Sequence, residues 1–289
     1  MLFRILGPLQ VNDTVQSGSP VRRAILTALL LRSGHAMRIG ELTELLWDQP
    51  PTSAAANIRS HLTGLRRDLD QAAPGLSRRL TTHRGVQCSY GLRFAADEFD
   101  LSQFTETTRR GRSLLLQGDL PAAISTLEEA VSFWRGPFGQ GLPLTRWFEA
   151  HIAGLNDARI QTHQDLFIAS ILAGRTEMLS HRIGALIAEA PYRQRLWELL
   201  AAVRCISGDA AGALEVIRRC QDLYADDLGL GLPPSLEEMR TAALRWDREQ
   251  ALRLVAAHAE RPDGDGYPHT TQFTPTPWTT PCTTATAPC

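Results

Sequence analysis

The chain has 289 residues, with 30 basic and 31 acidic side chains and a formal net charge of −1. All 30 basic residues are Arg, which excludes chemistry built on lysine: a P-loop phosphate clamp, a pyridoxal Schiff base, a kinase strand lysine. No apolar run approaches the length that spans a bilayer, and the start MLFRILGPLQV is too short and too interrupted for a signal peptide.

The five cysteines, Cys88, Cys205, Cys220, Cys282 and Cys289, show neither C-x-x-C nor zinc spacing. The eight His residues show no paired ligand spacing and the chain has no G-x-S-x-G. The expectation is a chain of a reducing cytoplasm, with no catalytic residues, no metal and no cofactor. The charge is unevenly spread. Residues 1–94 hold 12 Arg against 6 acidic residues, a net of +6, and residues 95–289 hold 18 Arg against 25, a net of −7. A basic front and an acidic back predict that only the front meets nucleic acid.

In chain order, residues 1–17 read as short strands (Leu2–Leu6, Leu9–Val11, Val15) broken by Gly7-Pro8 and Asn12-Asp13. Ser19-Pro20 opens a helix that Gly34 closes, with Ala24, Ile25, Ala28, Leu29 and Leu31 inward. Arg22 and Arg23 stand in its first turn, placed to grip a phosphate. Met37-Arg38-Ile39 is a strand candidate and Glu41–Trp47 a short helix.

A longer helix follows Pro50-Pro51, with Thr52 or Ser53 as N-cap. Ile58, Leu62, Leu65 and Leu69 share its inner face. The outer face carries Asn57, Ser60, Thr63, Gly64 and Arg67, flanked by Arg59 and Arg66. Short polar groups beside guanidinium forks suit a DNA major groove. Arg66 can equally pair with Asp70, four residues on, and His61 lies at the edge of the core face. After Pro74-Gly75 come two strand-like runs, Leu80–His83 and Cys88–Leu92, with Arg84-Gly85 between them. A basic-faced helix followed by a hairpin with Arg at its tip is the recognition helix and wing of a winged helix-turn-helix.

Phe94–Glu98 reads as a hinge, and the rest as an all-α array. Gly118-Asp119, Gly174-Arg175 and Gly208-Asp209 mark turns between helix pairs, and the 34 residues from Gly174 to Gly208 are the tetratricopeptide period. Arg135–Pro143 is read as an extra loop, and Ser235–Asp247 as the last helix. Trp47, Trp134, Trp147 and Trp197 are read as packing residues. The predicted fold is thus mainly α with a small β component. A DNA-binding domain occupies residues 1–94, a tetratricopeptide-like array 98–250, and a disordered Thr/Pro-rich tail 261–289. A fragment ending near Phe94 is expected to bind DNA by itself.

LGPL, RR-A-x-L-x-x-LLL, the LLW before Pro50-Pro51, the Ser53–Leu69 helix, DEFDLSQF and the SGDAAGALEVIRRCQDLYADDLGLGLPPSLEEM end together resemble the Streptomyces antibiotic regulatory protein (SARP) family over about residues 1–248. The resemblance implies an OmpR-type winged helix, then a bacterial transcriptional activation domain. It implies a pathway-specific activator of secondary-metabolite genes that binds direct repeats in double-stranded DNA near promoters, as pairs of protomers, and recruits RNA polymerase holoenzyme. By position it places Asn57, Arg59, Ser60, His61, Thr63, Arg66 and Arg67 on the recognition helix, Arg22 and Arg23 on the first helix, and Arg84 on the wing. Where the family's wing closes on Gly-Tyr, this chain has Ser89-Tyr90. With neither a receiver domain before it nor a sensor domain after it, the chain resembles the short members. The competing classes are a helical-repeat interaction scaffold and an effector-responsive repressor.

Overall fold

A computed structural model describes residues 1–15, 18–85 and 88–260. The expected Thr/Pro-rich tail, with Cys282 and Cys289, lies outside the described residues.

Three two-residue strands, β1 (Phe3–Arg4), β2 (Gln10–Val11) and β3 (Thr14–Val15), form an antiparallel sheet in that order. Asn12 and Asp13, both at positive φ, make the turn between β2 and β3. Helix α1 (Pro20–Leu31) starts on Pro at its first position, and Ser19 precedes it without a side-chain cap bond. Strand β4 (Met37–Arg38) leads directly into α2 (Ile39–Leu46), so the expected strand is one residue shorter and the helix begins two residues earlier. The Glu41 carboxylate causes this by accepting the Arg38 backbone N–H at 2.8 Å.

Helix α3 (Ala54–Ala72) buries Ile58, Leu62, Leu65 and Leu69, as its spacing predicts. The hairpin is β5 (Leu80–His83) and β6 (Ser89–Leu92), with β6 central in a second sheet of order β4-β6-β5. The pairing of β4 with β6 joins Met37 to Tyr90 and Arg38 to Ser89, far apart in sequence, and leaves no local signature.

The remaining helices are α4 (Asp100–Leu116), α5 (Leu120–Ser132), α6 (Arg146–Leu172), α7 (Leu179–Glu189), α8 (Gln194–Ile206), α9 (Ala210–Leu228), α10 (Pro234–Leu244) and α11 (Arg248–Glu260). The recurring Gly-Asp pair has a mechanism. Gly118 and Gly208 take the left-handed conformation (φ +78 and +83) that ends one helix. Asp119 and Asp209 then cap the next, accepting the Ala122 N–H at 3.2 Å and the Gly212 N–H at 2.8 Å. Asp247 caps α11 the same way through the Gln250 N–H at 2.8 Å. That helix lies past the expected last one, which ends earlier than expected, at Leu244. Helix α11 packs against α6, α8 and α10, burying Ala251 and Val255.

The 27-residue α6 accounts for the irregular spacing between Gly118 and Gly174. It also joins the two cores. Phe148, Leu155 and Ala158, toward its start, pack with Phe3, Ile25, Leu29, Leu42, Ile58 and Leu92. Leu166, Phe167 and Ile171, toward its end, pack with Leu127, Ile183, Trp197, Ile217 and Val255. The first core thus runs past Phe94 into Phe99, Phe104, Phe138 and Phe148.

The expected hinge is a fastened junction. Residues Ala96–Glu98 form a 3-10 turn. The Leu2 N–H donates to the Glu98 carbonyl at 2.9 Å, and Phe3 bridges Phe99. The Asp100 carboxylate accepts the Ile5 and Leu6 N–H groups at 3.0 and 2.9 Å. The Arg135 N–H returns to the Leu6 carbonyl at 2.9 Å, and its side chain donates to the Pro8 carbonyl at 2.9 Å. The first sheet is thereby tied to α4 and to the loop after α5.

Candidate nucleic-acid interface

The outer side of α3 forms a continuous strip. Asn57, Arg59, Ser60, Thr63 and Arg67 are exposed. Two of them are held along the helix: the Thr63 hydroxyl donates to the Arg59 carbonyl at 3.1 Å, and the Asn57 amide donates to the Ser53 hydroxyl at 3.2 Å. Ser53 occupies the N-cap position but makes no side-chain cap bond. Arg59 and Arg67 carry charge on short-chain surroundings, which lets a groove approach closely.

The expected strip needs three corrections. Gly64 is buried beneath the Arg22 side chain: a Cβ there would stand 2.6 Å from the Arg22 Nη1. Arg66 pairs with the wing, not with Asp70. Its Nη2 donates to the Thr82 hydroxyl at 2.8 Å and the Leu80 carbonyl at 3.3 Å, while Asp70 accepts the Ser77 N–H at 3.0 Å. His61 is half-buried, and burial followed by the Arg22 charge holds its imidazole below its usual pKa.

On α1, both arginines have partners within the chain. The Arg22 Nε lies 3.0 Å from the Asp68 Oδ2. The Arg23 Nη1 donates to the Gly18 carbonyl at 2.9 Å. Arg23 also lines a cavity of about 220 Å³ with Leu9, Phe138 and Leu142, toward the helical array and not toward the α3 strip.

The wing hairpin is paired in register from Leu80 opposite Leu92 to His83 opposite Ser89. Arg84 is exposed just beyond it, and Val86 and Gln87 at its tip lie outside the described residues. Arg38 is a further candidate. On β4 it pairs with Ser89 of β6, so Arg38, Ser89 and His83 stand side by side across the open end of the sheet, with Arg38 and His83 exposed. The β4–β6 pairing alone brings Arg38 there, and neighbouring sequence does not signal it. At the hairpin's base, Arg79 Nη2 donates to Glu98 Oε1 at 2.9 Å. That bond, before any other cause, holds Glu98 below the usual carboxylate range.

Among the described residues no helix is long and apolar enough to cross a membrane.

Two family models match the chain: "Transcriptional regulatory protein, C terminal" over residues 14–87, and "Bacterial transcriptional activator domain" over residues 99–244. The first spans the α3 strip and β5, the first strand of the hairpin. Strands β1, β2 and β6 and helix α11 lie outside both.

The chain is 33% identical over 262 residues to the regulatory protein AfsR of Streptomyces coelicolor, covering 89% of this chain and 25% of that protein. It is 30% identical to the transcriptional regulatory protein EmbR of Mycobacterium tuberculosis, covering 88% of this chain and 67% of that one. It is 24% identical to the regulatory protein DnrI of Streptomyces peucetius, covering 86% and 93%. The chain thus spans a quarter of the AfsR length but nearly all of DnrI. Among solved structures, EmbR from M. tuberculosis in complex with a low-affinity phosphopeptide superposes with a TM-score of 0.75 at 28% identity, over 88% of this chain and 69% of that one.

Proposed function

We propose, because the chain belongs to the SARP-type family of bacterial transcriptional regulators, that it is a sequence-specific DNA-binding activator of secondary-metabolite genes. The observation that carries this reading is the exposed strip Asn57, Arg59, Ser60, Thr63 and Arg67 on α3, beside a wing held to the same helix by Arg66. Arg67 and Arg59 are the base-reading candidates. Asn57, Ser60 and Thr63 allow close approach, and Arg84 with Arg38 faces the sugar-phosphate backbone. Arg66, His61 and Arg23 shape the surface without facing DNA. Residues 1–94 make the contact and residues 98–250 carry the output, holding RNA polymerase holoenzyme. Two protomers occupy a direct repeat, which spaces their half-sites by about one helical turn. The reading assigns no catalytic residue, cofactor or metal, and places the protein on the nucleoid.

The test is selection of duplexes from a random pool by the full chain, then transcription in vitro with purified RNA polymerase holoenzyme on a template carrying the enriched site. The expected result is a repeated half-site at helical-turn spacing and increased initiation. Enrichment with reduced initiation would instead make the protein a repressor. A pool with no enriched sequence would remove DNA recognition and favour the interaction scaffold.

A further inference from the structure

One edge of α3 is built around a residue of another helix. His61, Gly64 and Asp68 recur along this edge at helical spacing, and the Arg22 side chain from α1 lies against Gly64 and Asp68. Its Nε forms an ion pair with the Asp68 Oδ2 at 3.0 Å, and a Cβ on Gly64 would meet its Nη1 at 2.6 Å. Gly18, at the entry to α1, gives the same guanidinium room from the other side: a Cβ there would stand 3.3 Å from the Nη2.

Gly64 lies inside a helix and is absent from the positive-φ residues. Its backbone therefore needs no conformational freedom. Glycine is among the poorest helix formers, so the position trades helix propensity for space, and the space is filled by Arg22. On the opposite edge of α3, Arg66 is bonded to β5. The helix is held from both sides by guanidinium groups, one from α1 and one reaching the wing. Such a pair resists rotation of α3 about its own axis, and that rotation decides which side chains form the exposed strip.

We propose that Arg22 is a positioning residue for the DNA-reading helix: with Asp68 and the Gly64 seat it sets the rotation of α3, and it contacts no phosphate. The proposal rests on the reading of α3 given above.

The experiment measures binding by the full chain to a duplex selected by the wild-type protein and to a scrambled duplex of equal length, across a salt series. Arg22→Gln and Asp68→Asn are each expected to lose about fivefold or more on the selected duplex, the order of one base contact. Binding to the scrambled duplex and the salt slope should stay as in wild type. The double variant should be no worse than either single change. Asp68→Asn discriminates most sharply, because it removes a negative charge from the basic domain. If charge alone mattered, it would tighten binding to both duplexes, and that result would overturn the proposal. Equal losses for Arg22→Gln on both duplexes, with the slope reduced by about 0.9, would make Arg22 a phosphate contact and overturn it too.

Thermal unfolding of each variant accompanies the assay. Should Arg22→Gln unfold, Gly64→Ala displaces the guanidinium while favouring the helix. It is expected to lose the same discrimination, and unchanged discrimination would count against the clamp. A wild-type protein that prefers no duplex over the scrambled one would sink the reading of α3 itself.

Discussion

The Thr145 hydroxyl donates to the Leu45 carbonyl at 2.7 Å in a buried setting, across 100 residues of sequence. It joins the end of α2 to the start of α6, beside Phe148, which shares a core with Leu42 and Ile58. A fragment ending near Phe94 therefore loses Phe99, Phe104, Phe138 and Phe148 from its core, with the Asp100 carboxylate that holds Ile5 and Leu6. Such a fragment should show no cooperative thermal transition by circular dichroism, although its winged-helix elements are all present. A fragment that melts cooperatively near the full chain's midpoint would show that the two halves fold independently.

Asp100 makes this junction pH-sensitive. Its pKa is pushed up to about 6, with burial outweighing the Ile5 and Leu6 N–H donors and the Arg135 charge. The folded value lies above the unfolded value of about 3.9, so its favourable contribution is complete below about pH 4 and is lost as pH rises toward 6. Asp100→Asn should flatten the stability profile between those limits. It should also destabilise the protein by about 1–3 kcal/mol, because an amide can accept only one of the two backbone donors through oxygen and turns its NH₂ toward the other. Chemical denaturation at several pH values reads both effects. A profile unchanged by the substitution would remove Asp100 as the source.

Arg66 and Arg67 are neighbours with opposite expectations. Arg67 is exposed, so Arg67→Ala should leave unfolding within about 0.5 kcal/mol while costing about 1–3 kcal/mol on a selected duplex. Arg66→Ala removes the bonds to Thr82 and Leu80 and should lower stability by about 1 kcal/mol. Denaturation midpoints and binding constants for both variants check the contrast. The reverse pattern would exchange their roles.

Gly208 tests the helical turns. At φ +83, with a Cβ that would approach the Arg248 Nη2 to 2.6 Å, it accepts no side chain without strain. Gly208→Ala should cost about 1–2 kcal/mol, seen as a lower thermal midpoint. A neutral or stabilising result would mean that the turn between α8 and α9 readily rearranges.

The local patterns were legible. The Ile58, Leu62, Leu65, Leu69 spacing, the Arg84-Gly85 turn and the Gly-Asp pairs each report a neighbourhood of a few residues, and the elements formed where they predict. What depends on distant partners was not legible. Gly64 looks outward on a helical wheel because Arg22, which covers it, comes from 42 residues earlier. Arg66 has Asp70 at a favourable helical spacing, yet Thr82 offers it a bond that also closes the wing. Phe94–Glu98 reads as a hinge because only the fold brings Leu2 to Glu98 and Ile5 and Leu6 to the neighbouring Asp100. Helix α11 was missed although Asp247 is a cap of the same kind as Asp119 and Asp209. The family resemblance ends at about that point.

The central claim is that the α3 strip and the wing meet the backbone and bases of double-stranded DNA. Its most direct test is the salt dependence of the full chain's affinity for a selected duplex, with a scrambled duplex alongside. The account predicts that log K falls linearly with log salt, by about 0.9 for each phosphate neutralised and by several units in all, with the selected duplex bound more tightly throughout. A slope near zero, with the two duplexes bound alike, would show that the net charge of +6 on residues 1–94 is ordinary surface solvation, and would contradict the account.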